Sequence, residues 1–180
     1  EVFVYRQQDE KNLRIVVSDN GIGIFQKITK ALDLPDMRQS LFELAKGKFT
    51  TDPSRHSGEG VFFTSRMFDL YAIDANGLEF NHQNDIEFDR LDQGCESLEG
   101  GTTVFMKIAL DSDRTTAAVF EEYMNKPDDF GFTKTVVPMR LAQYGEEQLV
   151  SRSQAKRLIA RFDKFKKVVL DFQGVGEIGQ

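Results

Sequence analysis

Apolar residues crowd positions 2–5 and 13–17 with a strand-like pattern, and the polar run 9–12 between them predicts a β-hairpin. From 26 to 46 the period becomes that of a helix. Pro35 breaks it, since proline lacks the N–H and the conformational freedom a helix interior needs, so two helices are expected there. Residues 47–60 carry no apolar period and are rich in Gly, Thr, Ser and charge, which predicts a mobile loop. A helix follows over 61–68. A second hairpin is expected over 70–74 and 78–81, turning at Asn76-Gly77, and a strong β run covers 102–110. Beyond it the pattern predicts a helix over 115–124, a turn at Asp128-Asp129 and a strand over 133–139. An amphipathic helix over 152–165 and a strand over 168–172 complete it. The break in patterning between 125 and 132 divides the chain into expected domains 1–125 and 130–180. The fold class this implies is α/β: a two-layer sandwich with a mixed sheet and helices on one face, followed by the start of a small second α/β domain.

Composition refines that picture. With 40% hydrophobic and 29% charged residues in 180, the chain is able to bury a real core. Phe supplies 16 aromatic residues and Trp none, so that core is expected to be Phe-rich. The single cysteine, Cys95, excludes an intramolecular disulfide and a multi-cysteine zinc site, and it suits a reducing, cytoplasmic setting. No apolar run is long enough to span a membrane. The net charge of −6 argues against a dedicated nucleic-acid binder, because phosphate contacts need clustered Lys and Arg. The exception is the expected helix after Arg152, with seven basic residues and one acid through Lys167, which reads first as a solvated face.

Three segments carry candidate chemistry. In Ser18-Asp19-Asn20-Gly21-Ile22-Gly23 a strand delivers a carboxylate to its end, and two glycines then permit a tight turn beside whatever the carboxylate holds; an exocyclic amine such as that of adenine is one possibility, a plain turn the other. Ser57-Gly58-Glu59-Gly60 opens the helix at 61, and backbone N–H groups at a helix start approached over glycines suit phosphate. Gly100-Gly101-Thr102 leads into the β run, where the hydroxyl is one candidate to donate to a ring nitrogen or to the aspartate, a plain turn before the strand being the other reading. Lys48 and His56 flank the second segment as candidate phosphate contacts.

Taken in order, these motifs resemble the GHKL ATPase superfamily, which joins gyrase, heat-shock chaperones, histidine kinases and mismatch-repair ATPases; the resemblance covers residues 1–110. It implies ATP and Mg²⁺ as cofactors, with Asp19, Asn20, Gly21 and Gly23 as the first glycine box. Asp19 would take the adenine amine and Thr102 support the adenine pocket. A lid over 25–57 and Ser57, Gly58, Glu59 and Gly60 would take the phosphates. In that family the Mg²⁺-binding Asn, and often a general-base Glu, sit on a helix preceding the strand at 2–5. The resemblance therefore implies that this helix lies ahead of Glu1, and no catalytic residue or metal ligand is assigned within the chain. Residues 130–180, with Val168-Val169-Leu170-Asp171-Phe172-Gln173-Gly174-Val175, resemble the first part of a STAS-like domain found after such ATPases, implying a protein partner. The expectation is an ATP-binding regulatory protein, with an inactive interaction scaffold of the same fold as the alternative.

Overall fold

The computed structural model describes residues 1–52, 54–84, 86–93, 100–124, 132–139 and 152–176, without the side chains of 86–93 and 152–154. Cys95, the turn at 128–129 and most of the expected domain boundary lie outside the described residues.

A six-stranded sheet is built from β1 (Val2–Gln8), β2 (Asn12–Asp19), β3 (Leu70–Ala75), β4 (Leu78–Gln83), β5 (Ile86–Gln93) and β6 (Thr102–Ala109), in the order β1-β2-β6-β3-β4-β5. Every pairing in it is antiparallel. Parallel pairing occurs instead in a separate sheet of β7 (Lys134–Pro138) and β8 (Lys167–Asp171). The α/β sandwich is thus as expected, with the two pairing modes divided between two sheets and not mixed within one. Parallel strands need a long crossover, and helix α5 (Arg152–Ile159) lies in that connection.

The helices α1 (Ile24–Leu32), α2 (Gln39–Lys46) and α3 (Gly60–Met67) follow the expected breaks. Helix α1 ends with Asp33 in the left-handed region, just ahead of Pro35. Phe25 and Ile28 of α1 and Leu41, Leu44 and Ala45 of α2 bury against Tyr71, Ile73, Ala75 and Phe80 of the sheet, and Val137 and Met139 join the same cluster. A second cluster packs Phe62 and Phe63 of α3 against Val119 and Tyr123 around helix α4 (Thr116–Glu122), with Phe132 and Phe165. Phe62 lies 4.2 Å from Phe132 and 4.9 Å from Tyr123, ring centre to ring centre. The core is Phe-rich as expected, and both clusters draw residues from each side of the expected boundary. Among the described residues no helix is long and apolar enough to cross a membrane.

Local rules explain the turns. Asp9 Oδ1 accepts hydrogen bonds from the backbone N–H groups of Lys11 (2.9 Å) and Asn12 (2.7 Å), closing the β1–β2 hairpin. Those two donors hold its carboxyl down to about 2. The helix expected over 152–165 stops at Ile159 because Arg161 takes a left-handed φ of 66° and a short 3₁₀ turn, Phe162–Lys164, follows. The basic residues Lys156 and Arg157 are exposed, as a solvated face requires, whereas Arg161 of the same run is turned inward onto Glu43.

Burial pushes the Tyr71 hydroxyl up to about 12. Unfolded tyrosine titrates near 10, so the stability linked to this group is complete below pH ~10 and is lost as pH rises towards 12. Tyr71→Phe is expected to remove that loss. Thermal melts of both proteins from pH 8 to 11.5 should show the wild type losing up to ~2 kcal/mol that the variant keeps; identical pH profiles would refute the assignment.

Candidate functional site

Two of the three glycine segments, 18–23 and 100–102, meet at the seam between β2 and β6. Register places Asp19 opposite Thr102 and Ser18 opposite Thr103, whose hydroxyls lie 2.9 Å apart. Gly101 sits at φ 86°, and a Cβ there would fall 1.9 Å from the Asp19 carbonyl oxygen, so only glycine fits. Its N–H donates to the Gly21 carbonyl at 2.6 Å. Asp19 is half-buried, and its Oδ1 accepts from the Gly21 N–H at 2.7 Å. The other carboxylate oxygen has no hydrogen bond among the described residues. Thr102 Oγ1 accepts from the N–H of Ile24, the first residue of α1, at 3.0 Å. Among the described residues the Thr102 hydroxyl proton has no acceptor, so it is available to be donated to a ligand.

The turn of the β3–β4 hairpin reaches the same place. Asn76 Oδ1 accepts from the Gln26 N–H at 3.2 Å and its Nδ2 donates to the Ile22 carbonyl at 2.9 Å. Gly23, at φ 84°, makes room for this side chain, since a Cβ there would lie 2.1 Å from Asn76 Oδ1. Asn76 therefore caps α1 from a distance of fifty residues along the chain. Its sequence signal, Asn-Gly, announces only the hairpin.

Beside this seam lies a cavity of about 530 Å³ between α1, the loop 47–58 and the start of α3. Ile24 links the two, because its N–H bonds Thr102 while the residue lines the cavity. His56, Ser57, Gly58 and Gly60 line it as well, together with the cations Lys27 and Arg55. Gly58 takes φ 75°, where a Cβ would lie 2.5 Å from the Phe49 carbonyl, so the loop packs on itself through glycine. Glu59 precedes α3 and makes no capping hydrogen bond. Among the described residues the first N–H groups of the helix have no hydrogen-bond partner, and with Lys27, His56 and Arg55, the last also paired with Asp52 at 3.6 Å, they give this cavity the character of an anion site. Lys27 carries no motif and was not legible as a cavity residue; it is placed there by the α1 periodicity that buries Ile28 beside it.

Not all expected residues join. Asn20 is exposed at the loop tip. Lys48 turns away from the cavity: its Nζ donates to the Lys164 carbonyl at 3.0 Å and lies over the rings of Phe165 (5.1 Å) and Phe132 (5.7 Å). Burial lowers its pKa, with Glu59 opposing and Lys164 reinforcing the shift. Among the described residues no group of three or more His, Cys, Asp or Glu is placed to hold a metal ion. No family model, no curated protein and no solved structure matches the chain.

Proposed function

We propose that this chain is an ATP-binding regulatory protein of the histidine kinase-like (GHKL) ATPase superfamily, working in the cytoplasm and coupled to a protein partner through a STAS-like segment after residue 130. The observation that carries this reading is the convergence at one end of the sheet. An aspartate with a carboxylate oxygen to spare faces a threonine hydroxyl with a proton to donate. Both lie beside a glycine-lined cavity bearing Lys27, Arg55 and His56. The adenine amine would donate to Asp19, the Thr102 hydroxyl would support the ring, and the phosphates would lie against the start of α3 and the three basic groups. A cavity of this size falls in the range of small-molecule sites, roughly 300–1,000 Å³. When bound, ATP would bring a transferable phosphoryl group. The residues in hand account for holding it, and the reading contains no metal-dependent step. The second reading, a scaffold that binds no nucleotide, is favoured by the diversion of Lys48 to the Lys164 carbonyl.

Titration calorimetry with ATP and Mg²⁺ separates the two. Asp19→Asn retains an oxygen for the Gly21 N–H, so the turn survives, but sets an NH₂ group against the adenine amine. The expected result is measurable binding by the wild type and a loss of about 10–100-fold in the variant. Undiminished binding by Asp19→Asn sinks the adenine assignment, and a wild type that binds no ATP leaves the scaffold.

A further inference from the structure

A buried charge cluster joins the cavity wall to the C-terminal segment. Glu43, near the end of α2, places Oε1 2.6 Å from Lys46 Nζ and Oε2 2.6 Å from Arg161 Nη1. Lys46 is fully buried, and its ammonium also donates to the carbonyls of Ala160 (2.9 Å) and Arg157 (3.4 Å). Arg161 in turn donates from Nη1 to the Glu43 carbonyl (3.3 Å) and from Nη2 to the Gly47 carbonyl (2.8 Å), and its guanidinium lies 5.4 Å from the centre of the Phe49 ring. One guanidinium therefore grips the end of α2 and the first residues of the loop beyond it.

What it grips is the cavity itself, since Leu44, Gly47 and Phe49 all line it. Gly47 is where the chain leaves α2. It sits at φ 78° with Phe132 only 2.6 Å from where a Cβ would be, so the direction of departure is set by neighbours and not by helix propensity. Arg161 comes to this point because its own left-handed backbone ends the preceding helix and redirects the chain. Lys48 adds a further tie through the Lys164 carbonyl.

From this arrangement we infer that Arg161 is a positioning residue of the cavity, and that ligand binding there is coupled to the docking of residues 157–164. The identity of the ligand rests on the nucleotide reading above; the coupling rests on the contacts. A ligand that needs the wall formed by Gly47 and Phe49 favours the docked segment, and by reciprocity the docked segment favours the ligand. A protein that pulled residues 157–164 away would lower the affinity of the cavity without touching it. The C-terminal part is thereby a regulator of the site as well as a place for a partner to bind.

The test uses the full chain with two substitutions, Arg161→Gly and Arg161→Lys. Glycine deletes the guanidinium while accepting the left-handed backbone at no steric cost, which spares the turn. Lysine keeps one charge for Glu43 but lacks the fork that also reaches the Gly47 carbonyl. Two quantities are measured: ATP affinity by calorimetry, and hydrogen exchange of the amides of residues 48–52 without ligand. Arg161→Gly is expected to weaken ATP binding about 5–50-fold and to speed exchange at 48–52 while the β2–β6 seam stays protected. Arg161→Lys should recover part of both. A folded Arg161→Gly protein with wild-type exchange at 48–52 and wild-type affinity overturns the inference. If the wild type binds no ATP, the nucleotide reading falls, and the exchange measurement alone decides whether Arg161 positions the cavity wall: wild-type exchange at 48–52 in Arg161→Gly overturns it. Should Arg161→Gly fail to fold, Arg161→Lys replaces it, and wild-type exchange in that protein overturns the inference.

Discussion

Replacing Glu43 with alanine is expected to lower the unfolding free energy by about 3–5 kcal/mol, the usual cost of leaving a buried charge without its partner. Its two carboxylate oxygens serve Lys46 and Arg161, each at 2.6 Å. The surroundings are apolar, with the Phe42 ring 4.5 Å and the Phe162 ring 5.4 Å from the ammonium. Removing the acid leaves two cations facing each other there. The same logic fixes the pH response. Burial already lowers the Lys46 pKa, opposed mainly by Glu43, so in the variant it falls further. The unfolded chain then binds more protons than the folded one over the window from that lowered pKa up to 10.5, and the variant regains stability as pH rises through it. Urea denaturation at pH 7 and pH 9.5 measures both effects. A loss below ~1 kcal/mol at pH 7 would mean that the cluster is solvated and not buried.

Gly101→Ala is expected to cost about 2–5 kcal/mol, combining the strain of a left-handed φ with a backbone collision. The added Cβ would meet the Asp19 carbonyl at 1.9 Å and the Asn20 Cα at 3.1 Å. Relief requires β6 to move from β2, which would break the hydrogen bond from Gly101 to the Gly21 carbonyl and part Asp19 from Thr102. Gly77→Ala is the matched control. Gly77 has a similar φ of 72° but nothing within 4 Å of a Cβ, so only the conformational cost of about 1 kcal/mol should remain. Equal losses in the two variants, again by urea denaturation, would show that the collision at Gly101 is not felt.

Much of this architecture was legible in the chain because its signals are local. Pro35 separates α1 from α2, Asn76-Gly77 turns a hairpin, and the Phe-rich segments form the two cores. Strand β5 carries no clear signal, because Ile86–Gln93 intersperses its apolar residues with Asp, Glu and Arg, and pairing with β4 supplies what the pattern lacks. The end of α5 departs from the pattern for a related reason. Leu158, Ile159, Phe162 and Phe165 keep helical spacing, yet Arg161 adopts a backbone that no sequence rule assigns to arginine, held there by bonds to residues more than a hundred positions earlier. Of the site, the glycine segments and Asp19 announce themselves by spacing. Asn76 and Arg161 do not, since each is placed by tertiary contact, and Lys27 carries no motif. Lys48 was misleading because proximity in sequence to a glycine box says nothing about which way a long side chain turns.

The seam that brings Ser18 to Thr103 has a kinetic meaning as well. Its partners are 85 residues apart, so the chain must close a loop whose entropic cost grows to about 4 kcal/mol beyond the fixed initiation term. Hairpins such as β1–β2 and β3–β4 need no such closure and form within microseconds. Asp19 and Thr102 therefore become neighbours only after the slow, long-range step of assembly. A newly made chain would have its turns and hairpins in place well before the seam closes, so the pairing of Asp19 with Thr102 marks a late stage of folding.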